Sequence, residues 1–238
     1  MAATRVAAIF GAGPGNGAAF AARFLKEGYA VAVLSRSADA MKTLAASLGS
    51  DDKVRGYPCD VGSDEAVRTA LDSIQKELGP VSCVVYNAGS GGFKALDQWT
   101  AAEITAAADI NASGLFRVAV AAKPQLLLQS ENQANIVVVG AGAATRGRPN
   151  TVGFAAGKAA QRSVAQSLAR AWGPEKIHVS YMVIDGMIDG ENARAWLSKP
   201  DDFFLKSEDL ADVIVNVVNQ KPSAWTFEFD VRPFGETW

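Results

Sequence analysis

The chain has 238 residues, 49% of them hydrophobic, with 23 lysines and arginines against 25 aspartates and glutamates. That length suits one α/β domain with a single large core, or two small domains, and the near-neutral, slightly acidic balance excludes the basic footprint of a nucleic-acid binder. No run of about 18 apolar residues is present to cross a bilayer, so neither nucleic acid nor membrane is an expected partner.

The N-terminal stretch MAATRVAAIFGAG ends its short apolar run in glycines and lacks the pattern of a cleaved leader. Within it, Arg5 to Phe10 predicts a first strand. Ala18 to Glu27 has helical spacing in Phe20, Phe24 and Leu25 and stops at Gly28. Ala30 to Leu34 predicts a second strand, Ala38 to Leu48 a helix and Lys53 to Tyr57 a third strand. Ser63 to Leu78 opens with capping chemistry and closes at Gly79-Pro80. Val81 to Tyr86 is a fourth strand, and Asp109 to Gln129 a long helix bent or closed near Pro124. Ala134 to Val139, Ile177 to Ile184 and Trp225 to Val231 complete the strands, with the helix Thr151 to Trp172 between the first two.

Strands that alternate with helices argue for a parallel sheet covered on both faces. Right-handed crossovers then give a single doubly wound, Rossmann-like α/β domain over residues 1–238, with seven strands. The irregular segment 185–206 follows a strand end, where ligands bind in such folds, and is the expected substrate lid. Its Trp196, Leu197, Phe203 and Phe204 suggest an apolar pocket wall, and core packing explains them as easily. Cys59 and Cys83 sit at or within strand-like runs and are expected as buried thiols. That fits a soluble, reducing, cytoplasmic setting. His178, the only histidine, falls inside a strand, and no metal constellation is visible.

The stretch Phe10-Gly11-Ala12-Gly13-Pro14-Gly15-Asn16-Gly17 lies between the first strand and the first helix. Glycines there let the backbone approach a pyrophosphate at a helix N-terminus, so Gly11, Gly15, Asn16 and Gly17 are candidate cofactor residues. Asparagine at 16 breaks the common GxGxxG spacing. The second strand ends Leu34-Ser35-Arg36-Ser37 without the acid that bonds a ribose 2′-hydroxyl in NAD sites. Ser35 leaves room for a 2′-phosphate and Arg36 can pair with it, which favours NADP(H) over NAD(H).

With these motifs in order, the chain resembles the short-chain dehydrogenase/reductase family over nearly its whole length. Tyr86-Asn87-Ala88-Gly89 resembles the family's NNAG motif, with tyrosine for the first asparagine. The resemblance implies adenine contacts at Asp60 and Val61 and further cofactor contacts at Asn87, Ala88, Gly89 and Lys158. It also implies contacts at Gly186 and Ile188, where the usual Pro-Gly reads Asp185-Gly186. Asn111 and Lys158 match the family's catalytic asparagine and lysine. The family's tyrosine, four residues before the lysine, is Phe154 here. Its serine position falls at Ala141 or Gly142, with Thr145 the nearest hydroxyl. An enoyl-reductase-like tyrosine position is occupied by Thr151.

A phenyl ring can neither donate a proton nor hold an alkoxide, and each service is worth a factor of about 100 or more. Two readings of function follow. One is an oxidoreductase of a small, partly apolar substrate that takes its proton elsewhere, from water held by Asn111 and Lys158 or from Asp185. The other is a catalytically silent NADP(H)-binding protein. The resemblance further implies a homodimer or homotetramer paired through helices 109–129 and 151–172, with the tail 225–238 as a second contact.

Overall fold

Val6–Phe10, wholly apolar, forms the first strand, β1, buried along its length as a strand covered on both faces must be. Further strands are β2 (Ala30–Ser35), β3 (Val54–Pro58), β4 (Val81–Tyr86), β5 (Ala134–Ala141), β6 (Ile177–Ile184), the two-residue β7 (Met187–Ile188) and β8 (Phe204–Leu205), and β9 (Glu228–Val231). The computed structural model describes residues 5–49, 52–129 and 134–236. The first four residues of the N-terminal stretch and the last two of the C-terminal tail, both included in the readings above, lie outside the described residues.

Seven strands make one parallel sheet in the order β3-β2-β1-β4-β5-β6-β9. The order reverses between β1 and β4, which opens a crevice at their carboxyl ends. The short strands pair separately, Met187 with Phe204 and Ile188 with Leu205. Helices α1 (Asn16–Lys26), α2 (Ala38–Leu48) and α8 (Ser207–Val218) cover one face. The other carries α3 (Asp64–Glu77), α5 (Gly114–Leu127) and α6 (Val152–Trp172), with α4 (Ala101–Ala108) packed against α6. A short α7 (Glu191–Trp196) lies in the irregular segment. Ser63 caps α3 by accepting from the Ala66 amide at 3.2 Å.

The long helix expected over residues 109–129 begins as a π-turn, Asp109–Ser113, which joins α4 to α5, and Pro124 lies inside α5 rather than ending it. Tyr86 explains the turn's placement. Its buried hydroxyl donates to the Ile110 carbonyl at 2.5 Å, and a Cβ at Gly114 would overlap that hydroxyl. The last strand begins at Glu228, three residues later than expected from Trp225. The helices α4 and α8 are additions to the expected elements. Thr100 and Glu103 form a capping box at the start of α4.

Candidate functional site

The glycines of the loop after β1 divide by task. Gly11 has φ of +80°, and a Cβ there would overlap the backbone of Ala88. Gly17 packs within 2.6 Å, as measured from an ideal Cβ, of the Ala12 Cα. Gly13 and Gly15 face open space. Two glycines thus close the turn and two leave a cradle at the N-terminus of α1, whose first turn carries no acidic residue. Such a cradle fits a pyrophosphate. Asn87 braces the loop, donating from Nδ2 to the Gly11 carbonyl at 2.8 Å. The Asn16 side-chain carbonyl is taken by the Ser207 hydroxyl at 2.7 Å, which ties the loop to α8.

At the end of β2, Ser35 is half-buried and Arg36 exposed, while Ser37 caps α2. Asp60 is exposed and accepts from the Gly62 amide at 2.9 Å, the bond of a turn residue. Val61 is buried in the core.

The π-turn carries Asn111, fully buried, into contact with the loop after β4. Its Nδ2 donates to the carbonyls of Ser90 at 2.7 Å and Ala107 at 2.8 Å. Its Oδ1 is buried without a hydrogen-bond partner among the described residues. An ideal Cβ on Gly89 would stand 3.4 Å from that oxygen and 3.6 Å from Lys158 Nζ, so the three residues meet at one point. Lys158 is buried, and its Nζ donates to the Val139 carbonyl at 2.8 Å and to Gln161 Oε1 at 3.0 Å. Burial pushes its pKa down to about 7. Gln161 was not singled out from the sequence, although three residues after Lys158 on a helix is the same face.

Phe154 lies one turn before Lys158, its ring centroid 5.9 Å from Nζ. The loop after β4 folds over it at Gly91, where φ is +141° and a Cβ would come within 2.6 Å of Phe154 Cβ. Asp185 follows β6 with both carboxylate oxygens engaged. Oδ1 pairs with Arg146 Nη2 and Oδ2 with Arg232 Nη1 at 2.8 Å. A Cβ at Gly142 would overlap Asp185 Oδ1, so a serine does not fit that position while Asp185 stands where it does. Arg146 is marked by no local motif, whereas Arg232 opens the closing Arg232-Pro233-Phe234. Gly186 packs under Pro233, and Ile188 lines the cleft as part of the small sheet.

A cleft of about 1560 Å³ runs from Pro14 and Gly15 of the glycine loop to the segment after β6. Trp196 and Leu197 line it together with Phe93, whose ring meets Trp196 edge-on at 6.5 Å. Phe204 is instead buried in the small sheet with Phe203 against it at 5.4 Å, which corrects the expectation that these two wall the pocket. Asp189 binds Arg194 at 2.6 Å and Lys206 at 2.5 Å, and these hydrogen bonds hold its carboxyl well below the usual range.

Cys59 and Cys83 are buried and unpaired. His178 is buried, stacked on Trp225, with Nε2 at 2.9 Å from the Thr226 carbonyl. No group of three metal-ligating side chains occurs among the described residues, and no helix among them is long and apolar enough to cross a membrane.

A family model described as short chain dehydrogenase matches residues 5–201. The D-threitol dehydrogenase of Mycolicibacterium smegmatis is 28% identical over 193 residues, covering 81% of this chain and 74% of that protein. The structure of an alcohol dehydrogenase from the archaeon Thermococcus sibiricus, complexed with 5-hydroxy-NADP, superposes with a TM-score of 0.86 at 24% identity over 99% of both chains. A 3-ketoacyl-(acyl-carrier-protein) reductase from Brucella melitensis, complexed with NADH, gives a TM-score of 0.83 at 25% identity, covering 95% of this chain and 96% of that one.

Proposed function

The chain belongs to the short-chain dehydrogenase family, and from that premise we propose that it is a single-domain, NADP(H)-dependent oxidoreductase of a small, partly apolar molecule, with a non-standard proton source. The observation that carries this reading is the meeting of Gly89, Asn111 and Lys158 beside an open glycine cradle. On this reading Phe154 stands in for the family's tyrosine, and the chain is an atypical member that lacks both the tyrosine and the serine hydroxyl.

Gly13 and Gly15 leave room for the pyrophosphate, and Gly11, Asn16, Gly17 and Asn87 shape the turn that holds it. Ser35 and Arg36 take the adenosine 2′-phosphate, and Asp60 and Val61 flank the adenine. Ala88, Gly89, Gly186 and Ile188 line the nicotinamide end. The bound cofactor supplies or accepts a hydride. Lys158 and the unpartnered Asn111 Oδ1 hold the ribose and an ordered water, and that water is the proton source. Phe154 keeps the floor of the site apolar. Structures related to this chain hold either 5-hydroxy-NADP or NADH, and Arg36 is the residue that favours the phosphorylated form here.

Self-association is part of the same reading. Phe116, Val120 and Leu127 form an exposed apolar stripe on α5, at 53%, 47% and 40% exposure, which suits a homodimer or homotetramer. A cytoplasmic setting accords with two unpaired, buried thiols.

The test is to bind NADPH and NADH by fluorescence titration, then mix the NADPH complex with a panel of carbonyls and enones and follow the reduced-nicotinamide absorbance. Tighter NADPH binding with oxidation by at least one acceptor is expected. Phe154 favours the second reading, a silent cofactor-binding protein. Saturable binding without oxidation by any acceptor would choose that one.

A further inference from the structure

Three features at the carboxyl ends of β5 and β6 fit together. Gly142 has no side chain, Asp185 fills the space a side chain there would occupy, and Arg146 Nη2 stands 3.2 Å from an ideal Gly142 Cβ. Asp185 is itself 9% exposed at its side chain, with one oxygen on Arg146 and the other on Arg232. Arg146 remains 46% exposed. A guanidinium carries five N–H donors in a plane, so binding Asp185 through Nη2 leaves others toward the solvent side.

From this geometry we infer that Arg146 is the group that binds the substrate's oxygen, that Asp185 is the residue that positions it, and that the substrate is an α,β-unsaturated carbonyl compound. The inference rests on the reading above for its cofactor, a reduced nicotinamide dinucleotide.

The chemistry follows from what arginine can and cannot do. Its guanidinium stays protonated at any working pH, so it stabilises negative charge on oxygen without surrendering a proton. Ketone reduction leaves an alkoxide, which must be protonated on that oxygen. Reduction of a conjugated C=C bond does not. The β-carbon of the acceptor gains the hydride and a new C–H bond. The C=C π pair moves to join the α-carbon to the carbonyl carbon, and the C=O π pair moves onto oxygen as an enolate. Arg146 holds that enolate oxygen. Water then protonates the α-carbon and leaves as hydroxide, giving the saturated carbonyl compound. The substrate is reduced, the nicotinamide is oxidised, and the net reaction consumes one proton from solvent. A site with a guanidinium, ordered water and no phenol suits this sequence better than carbonyl reduction.

Acetylacetone tests the oxygen site apart from turnover, because its enolate has its own ultraviolet band. Titrated into the protein at neutral pH, with and without NADP+, it should show a larger enolate fraction than in buffer. Arg146→Ala should abolish that gain, Arg146→Lys should keep part of it, and Asp185→Asn should weaken it while leaving NADPH affinity unchanged. With 2-cyclohexen-1-one and NADPH, kcat/KM should fall about 100-fold in Arg146→Ala, the range of a lost oxyanion donor. Melting curves establish that each variant is folded. An enolate band and an enone rate that are the same in wild type and Arg146→Ala overturn the inference, as does a wild type that binds NADPH but gives neither signal. Failure to bind NADPH at all would instead defeat the proposed function, and the cofactor-free titration would still judge Arg146.

Discussion

Replacing Lys158 by methionine should remove a pH-dependent penalty that the wild-type fold carries. Lys158 is buried, and its Nζ meets two neutral acceptors, the Val139 carbonyl and Gln161 Oε1. No carboxylate pairs with it among the described residues, so two neutral acceptors are all that offset the cost of burying its charge. Its pKa falls from an ordinary 10.5 to about 7. Between those two values the unfolded chain holds the proton and the folded one does not, so unfolding takes up a proton and rising pH favours the fold. The penalty is therefore complete below about pH 7, declines through the window, and is gone above the unfolded pKa. Each pH unit inside the window is worth about 1.4 kcal/mol, and the rounded lower shoulder reduces the gain from pH 7 to pH 9 to about 2 kcal/mol. Methionine has similar length and no charge. It leaves the two acceptors without their donor at every pH, a constant cost of about 1–3 kcal/mol per unsatisfied buried group. Urea unfolding of both proteins at pH 7, 8 and 9 isolates the titrating part, since all other groups cancel in the difference. Wild type should gain about 2 kcal/mol relative to Lys158→Met across that range. Parallel stability profiles would show that the amine is solvated or paired, and the reasoning would fall.

Arg36→Ala should weaken NADPH binding about tenfold or more and leave NADH binding unchanged, by fluorescence titration. Equal losses for both cofactors would remove the 2′-phosphate contact. Tyr86→Phe should cost about 1–3 kcal/mol in urea unfolding, because the Ile110 carbonyl and the π-turn around Asn111 lose their donor. Gly142→Ser should lower the melting temperature by forcing Asp185 aside, and Asp185→Ala should recover most of that loss in the double variant. Additive losses in that pair would mean that the two side chains do not compete for one space. Phe154→Tyr should fold normally and give the NADPH complex measurable ketone reduction, followed by absorbance, with the new hydroxyl next to Lys158.

The sheet was legible because burial on both faces leaves nearly uninterrupted apolar runs. β4 and β6 begin and end at the residues the pattern predicts. α8 is absent from the expected elements although Leu210, Ala211, Ile214, Val215 and Val218 have plain helical spacing, because it follows directly on the irregular segment 185–206. α4 also had a visible start in Thr100 and Glu103. The π-turn had no such mark. It depends on a tyrosine hydroxyl reaching the Ile110 carbonyl across 24 positions of sequence, a contact only the fold creates. The Arg146–Asp185–Arg232 cluster was hidden for the same reason, since its members come from three segments with no shared spacing. Glycines at 11, 89 and 142 were visible as letters, but what each admits was not: an Ala88 backbone, a meeting of Asn111 and Lys158, and a carboxylate.

The two strands that end the sheet order carry a consequence for how copies of the chain can meet. Along β3, Pro58 has no amide to offer a neighbour, and Arg55 is tied to Glu77 at 2.8 Å. Along β9, only four residues long, Glu228 and Asp230 set two carboxylates on one side, bound to Arg162 and Arg232. An incoming strand would find an interrupted ladder at one margin and a short, charged one at the other. Lateral continuation of the sheet, the common route from folded domains to fibrils, is obstructed at both ends.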